Sequence, residues 1–239
     1  MTKEEVRSLQ EEMEADPKPL RRPVVLLSGY RAPPTMIGAL ESRLRRLTGA
    51  SSENMLAITY SFDGDIDDIA DNVVERVERE WPSEDPEWTV EVDVVAISMG
   101  GLVGRAAADD PAKRGAARKR LNAARIFTLA SPNNGAKSAN LLSLTPAAND
   151  MKPGSEWLAE LNGRLGEQRY ELIPYAQLND VIVGARNTTP PGMDPYWTGG
   201  TAFFSHSTIS ENPWVLTDIA RRLRGEVPIA DEPSAPPSD

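Results

Sequence analysis

The chain of 239 residues contains no cysteine and a single histidine. The first absence excludes disulfides, thiolate metal sites and a cysteine nucleophile. The second argues against a histidine-rich metal centre, so no metal is expected. It also means that any imidazole acting as a general base must be His206. No run approaches the roughly 20 apolar residues that span a bilayer, so no integral membrane segment is expected. Residues 1–16 lack the apolar core of a signal peptide, and a cytoplasmic setting is expected. Basic residues are outnumbered, with 26 Lys and Arg against 36 Asp and Glu, a formal net charge of −10. That balance repels nucleic-acid phosphates and anionic headgroups, so nucleic acid is not an expected partner.

What is present is an alternation of short apolar runs with amphipathic stretches. Residues 1–21 read as a charged lead-in, with one short helix ending before Pro17. Residues 23–29 form a continuous apolar run ending in Gly29, which suits a strand buried on both faces. Met36, Ile37, Leu40, Leu44 and Leu47 then recur at helical spacing. A second strand is expected over 56–60. A helix follows, with Ile66, Ile69, Val73, Val74 and Val77 on one stripe and Asp65, Asp67 and Asp68 at its start, where the helix dipole favours negative charge. Further strands are expected over 90–97, 126–130 and 171–175. A last helix opens at Asn212-Pro213, carries Leu216, Ile219, Ala220 and Leu223 on its buried face, and stops at Gly225. Alternation of this kind implies an α/β domain over 22–225, a mostly parallel central sheet with helices on both faces. Residues 226–239, rich in Pro, Ser and Asp, read as a disordered tail.

The chemistry concentrates at Ala96-Ile97-Ser98-Met99-Gly100-Gly101. An apolar strand runs into a serine with small residues two positions away on either side, and a helix follows. A turn that tight holds the serine in strained backbone angles, at a cost of about 1–3 kcal/mol. It lifts the hydroxyl above the sheet edge and aims a helix N-terminus at it. An idle serine in a structural turn is the bland alternative.

In these residues the chain resembles the α/β-hydrolase superfamily, and within it the small bacterial lipases and lipase-like esterases, over roughly residues 22–224. Leu27-Ser28-Gly29-Tyr30 stands in the place of the family's oxyanion loop. The segment 126–135, ending Ser131-Pro132-Asn133-Asn134-Gly135, is similar to a Thr-Pro-His-x-Gly segment of these lipases, and 150–161 to the stretch that follows it. Asp180 falls where the family places its acid, and His206 where it places its histidine, before the last helix. The resemblance implies the α/β-hydrolase fold and a triad of Ser98 as nucleophile, His206 as general base and Asp180 as the acid that orients it. Asp150 and Asp194 stand as alternative acids. The resemblance further implies an oxyanion hole built from the backbone amides of Tyr30 and Met99. The implied reaction is hydrolysis of a small-molecule acyl ester through an acyl-enzyme, with no cofactor. Acyl transfer or thioester hydrolysis by the same triad, and a non-catalytic binding module, are the other readings.

Ser28, Ile97 and Asn133 depart from the family pattern, which points to a site of altered polarity and an untypical substrate. Arg31 is a candidate for binding an acidic substrate group. Lys113, Arg114, Arg118, Lys119, Arg120 and Arg125 form a basic cluster, by default a solvated helix face, otherwise a surface for an anionic partner. Residues 138–165 are long enough for a small cap. Its Leu141, Leu142, Leu144 and Trp157 would line an acyl pocket or pack on the sheet, and the loop bearing Tyr196 and Trp197 would form another wall.

Overall fold

The computed structural model describes residues 1–60, 64–109, 119–139, 145–201 and 204–233. Six strands, β1 (Val24–Leu27), β2 (Met55–Ile58), β3 (Val92–Ile97), β4 (Ala123–Leu129), β5 (Glu171–Gln177) and β6 (Tyr196–Thr198), form one sheet in the order β2-β1-β3-β4-β5-β6. Every pairing is parallel. The helices are α1 (Lys3–Ala15), α2 (Pro34–Thr48), α3 (Ile66–Glu80), α4 (Met99–Ala108), α5 (Pro146–Asp150), α6 (Glu156–Gly163), α7 (Ser205–Thr208) and α8 (Pro213–Leu223).

Side-chain alternation along the central strands builds a core on each face. Val25 and Leu27 of β1, with Val94 and Ala96 of β3, pack with the buried stripe of α3 and with Leu102, Val103 and Ala106 of α4. Ala147, Ala148, Leu158 and Leu161 from α5 and α6 join the same core. Val24 and Leu26, with Val95 and Ile97, face the other way against α2 and α8. Both faces are covered, which is why these strands read as unbroken apolar runs.

The order reverses between β1 and β3: β2 lies outside β1, while β4, β5 and β6 extend outward from β3. Ligands of open α/β sheets bind beyond the carboxyl ends of the strands at such a switch point. Backbone strain collects at the same edge. Among the described residues, the non-glycine residues with positive φ are Arg31, Ser98, Ala130 and Asn179, which follow β1, β3, β4 and β5.

Several elements differ from their sequence expectation. Strand β6 was not anticipated, because three residues between Pro195 and Gly199 carry too short a pattern to read. Strand β3 begins at Val92, where its register with β4 shifts. Helix α1 is charged but docked: Val6 and Met13 are buried, and the Arg224 guanidinium donates to the carbonyls of Met13, Asp16 and Leu47. Part of the tail is pinned as well. Ile229 N–H donates to the buried Asp218 carboxylate at 2.6 Å, and the Tyr196 hydroxyl donates to the Asp231 carbonyl at 2.9 Å. Residues 234–239 lie outside the described residues. Three members of the basic cluster are engaged inside the molecule. Lys119 pairs with Glu78 at 2.6 Å, Arg125 pairs with buried Asp93 at 2.6 Å, and Arg120 stacks on Trp88. Lys113, Arg114 and Arg118 lie outside the described residues, as do Leu141, Leu142 and Leu144 of the cap. Trp157 packs against the α3–α4 core, and its indole N–H donates to Asp67 on α3.

Candidate active site

Ser98 caps α4 with φ 51° and ψ −125°, angles that an L residue holds only where its surroundings enforce them. The enforcement is visible in three hydrogen bonds and two contacts. Ser98 N–H donates to the Leu129 carbonyl at 2.9 Å, and the Ser98 carbonyl accepts from Gly101 N–H at 3.1 Å. A Cβ placed on Gly100 would lie 2.6 Å from the Ser28 carbonyl oxygen and 2.8 Å from that of Leu27. Only glycine lets α4 approach the end of β1 so closely. The Tyr60 hydroxyl donates to the same Ser28 carbonyl, clamping the loop that follows β1. A Cβ on Gly29 would meet the Ser98 Cβ at 3.2 Å, so this loop runs directly against the nucleophile candidate.

The structure brings Ser98, His206 and Asp180 together. His206 Nε2 lies 3.0 Å from Ser98 Oγ, and His206 Nδ1 lies 2.9 Å from Asp180 Oδ2. These residues come from three separate elements: the β3–α4 turn, the short helix α7 and the loop after β5. Asn179, with φ 62°, turns that loop, and its side chain donates to the Gly200 carbonyl at 3.0 Å. The second oxygen of Asp180 accepts the N–H groups of Ile182 (2.9 Å) and Val183 (3.0 Å). Burial alone would push the Asp180 carboxyl up. The His206 hydrogen bond and charge, joined by the two amides, outweigh burial and hold it below the usual carboxylate range. Asp180 therefore stays ionised next to the imidazole.

The two alternative acids lie elsewhere. Asp150 ends α5 and accepts from the Ile66 N–H at the start of α3, 3.2 Å away. Burial, with the nearby charges of Asp65 and Asp67, pushes it up to about 6 although the Ile66 bond opposes them. Asp194 is exposed on the loop before β6.

Met99 follows Ser98 as the first, buried residue of α4, where helical N–H groups have no partner within the helix. Tyr30 is half-buried beside Gly29. Its hydroxyl shares a hydrogen bond with Thr145 at 3.1 Å, and the Arg31 guanidinium lies over its ring. The three departures from the lipase pattern are all turned inward: Ser28 is 3% exposed, Ile97 3% and Asn133 0%. Asn133 accepts from the fully buried Arg105 guanidinium at 2.8 Å and donates to the Thr188 carbonyl at 2.7 Å. It ties α4 to the chain beyond β5, so the expectation that it alters the polarity seen by substrate is corrected. Sequence reasoning had no means to single out Tyr60, Thr145 or Arg105, since their roles depend on loops meeting in space. Among the described residues, no group of three or more His, Cys, Asp or Glu is placed to hold a metal ion. None of their helices is long and apolar enough to cross a membrane.

No family model matches the chain, and no curated protein matches it. Solved structures do. Phospholipase PlaB from Legionella pneumophila superposes with a TM-score of 0.64 at 15% identity, over 84% of this chain and 59% of that one. The mature lipase BlEst2 of Bacillus licheniformis gives 0.57 at 16%, over 80% and 88%. The lin2722 gene product of Listeria innocua gives 0.57 at 14%, over 88% and 96%. The chain has the α/β-hydrolase fold. It spans 58% of the PlaB chain seen with thio-NAD and 54% of the BlEst2 propeptide form. At such identities this chain shares an architecture with its neighbours, and its chemistry has to be argued from its own residues.

Proposed function

We propose that this α/β-hydrolase is a serine hydrolase that cleaves carboxylic esters with apolar, lipid-like acyl groups through an acyl-enzyme on Ser98. The observation that carries the reading is the unbroken chain from Asp180 through His206 to Ser98, at 2.9 and 3.0 Å. Ser98 Oγ attacks the acyl carbon while its proton passes to His206 Nε2. Charge that develops on the carbonyl oxygen meets the amides of Met99 and Tyr30. The ester C–O bond breaks, His206 returns the proton to the departing alcohol, and the acyl group remains on Ser98. Water then attacks with His206 again as base, releasing the acid. Asp180 holds the imidazole tautomer and balances the imidazolium charge.

The rim of the site supports an apolar acyl group. Among the described residues, Val181 (50% exposed) and Ile182 (38%) follow the acid, and Phe204 (66%) precedes the base. Exposed apolar side chains clustered at a site mark a surface that meets apolar partners. The test is turnover of p-nitrophenyl esters from acetate to palmitate by the parent chain, Ser98→Ala and His206→Ala. The reading predicts faster turnover as the acyl chain lengthens from acetate, and losses on the order of 10³-fold or more in both variants. Equal turnover by parent and Ser98→Ala would overturn it.

A further inference from the structure

The turn that carries the Tyr30 amide holds a conformation that its own residues disfavour. It closes on a hydrogen bond from the Ala32 N–H to the Gly29 carbonyl at 3.3 Å. Within it Arg31 takes φ 51°. Glycine enters this left-handed region freely, asparagine and aspartate at little cost, and other L residues only under constraint. The turn also runs directly against the nucleophile candidate, since a Cβ on Gly29 would meet the Ser98 Cβ at 3.2 Å. Relaxation of Arg31 toward ordinary angles would therefore shift the Tyr30 N–H away from the place where charge develops, and an oxyanion donor works only within about 2.7–3.1 Å of that place.

The constraint comes from the Tyr30 side chain. Its ring packs against the α3–α4 core, and the Arg31 guanidinium covers it, 5.3 Å from the centroid. Its hydroxyl shares a hydrogen bond with Thr145 Oγ1 at 3.1 Å. Thr145 is itself held in place. As N-cap of α5 its side chain accepts from the Ala148 N–H at 3.3 Å, and Ala147 and Ala148 are buried in the same core. At the other end of α5, Asp150 accepts from the Ile66 N–H at 3.2 Å, and the Ser155 hydroxyl donates to the Asp150 carbonyl at 2.6 Å. Tyr30 is thus tied to a short helix fastened at both ends, 115 residues along the chain. We propose that the Tyr30 phenol and Thr145 form a tether that sets the Tyr30 amide for the oxyanion, which makes both of them positioning residues for ester cleavage. The tether rests on the serine-hydrolase reading of Ser98 and adds to it a residue outside the triad and the oxyanion loop. An amide that meets the oxyanion acts only in the transition state, so cutting the tether lowers kcat and leaves KM unchanged. A phenol that merely packed would change stability and not kcat.

The test measures kcat and KM for p-nitrophenyl butyrate, and inhibition by butylboronic acid, whose adduct with the serine mimics the tetrahedral intermediate. The full chain is compared with Ser98→Ala, Tyr30→Phe, Thr145→Val, Thr145→Ser and the double variant Tyr30→Phe/Thr145→Val. Tyr30→Phe spares the α5 cap, and Thr145→Val spares the phenol. Each should lower kcat about tenfold, short of the roughly 10²–10³-fold lost with a whole oxyanion donor, at unchanged KM. Each should weaken the boronate by the same factor. The double variant should be no slower than either single one, because both cut the same bond. Thr145→Ser keeps the hydroxyl and should recover most of the kcat lost in Thr145→Val. Adding Arg31→Asn to Tyr30→Phe should recover part of the loss, because asparagine holds left-handed angles with less outside support. Melting curves verify folding. A folded Tyr30→Phe with the parental kcat, a loss confined to KM, or losses that multiply in the double variant overturn the tether and leave the serine-hydrolase reading standing. A parent that turns over no faster than Ser98→Ala and ignores the boronate overturns that reading, and the tether with it.

Discussion

Asp180 accepts three hydrogen bonds and is held below the usual carboxylate range, whereas Asp150, facing two other aspartates, is pushed up to about 6. The signs of their pH effects are opposite. A lowered folded value means that Asp180 contributes stability above its unfolded value, lost as pH falls through the folded one. Asp180→Asn should therefore melt lower than the parent at pH 7, the gap closing only below the ordinary value of 3.8. It should also slow ester turnover by about 10³–10⁴, because an amide opposite Nδ1 favours the wrong imidazole tautomer. A raised folded value means that Asp150 costs stability as pH climbs from 3.8 to about 6 and beyond. Asp150→Asn keeps an acceptor for Ile66 N–H and removes the charge. It should stabilise the chain by on the order of 1 kcal/mol at pH 8, a figure reduced for water screening around a half-exposed group, and by nothing at pH 4. Melting curves of parent and variant at those two pH values check the sign.

The strand–turn–helix at Ser98 is where local sequence and tertiary contact agree most closely. Its glycines are legible in the sequence as a need for small side chains. The structure names what they avoid: at Gly100 it is the backbone oxygens of Leu27 and Ser28, neither of which can swing aside. Gly100→Ala should cost about 1–3 kcal/mol and most of the ester turnover, since relief requires the β1 loop to move off Ser98. Gly38→Ala on α2 is the control. No atom lies within 4 Å of its added Cβ, and it should stabilise by about 0.5–1 kcal/mol. A denaturant midpoint and an esterase assay on both variants separate the two cases. Elements with long periodic patterns, such as α3 and β3, were readable because both faces of the sheet are covered. Strand β6 was not, because Tyr196-Trp197-Thr198 is one edge pairing with Tyr175, Ala176 and Gln177, set by the neighbouring strand.

Across the whole molecule, the order serine, aspartate, histidine was visible in one dimension, and so was the parallel α/β plan. What the sequence could not express was which loops meet. Helix α1 looks like a solvated, charged segment because its two buried anchors, Val6 and Met13, stand seven residues apart among acidic neighbours. Its docking site is built from α2 and α8, far along the chain. Asn133 read as a departure that alters the polarity of the site, and the structure makes it a buried joint between Arg105 and the Thr188 carbonyl. Such roles arise from contacts between distant segments, to which residue type alone is blind.

The central claim is that the fold activates one serine hydroxyl out of all those in the chain. The most direct measurement is intact-mass analysis after treatment with a fluorophosphonate, with the modified peptide mapped, for the parent, Ser98→Ala and His206→Ala. The account predicts a single adduct on Ser98 in the parent and no adduct in either variant. A folded parent that takes up no label, or an adduct that persists in Ser98→Ala, would contradict it.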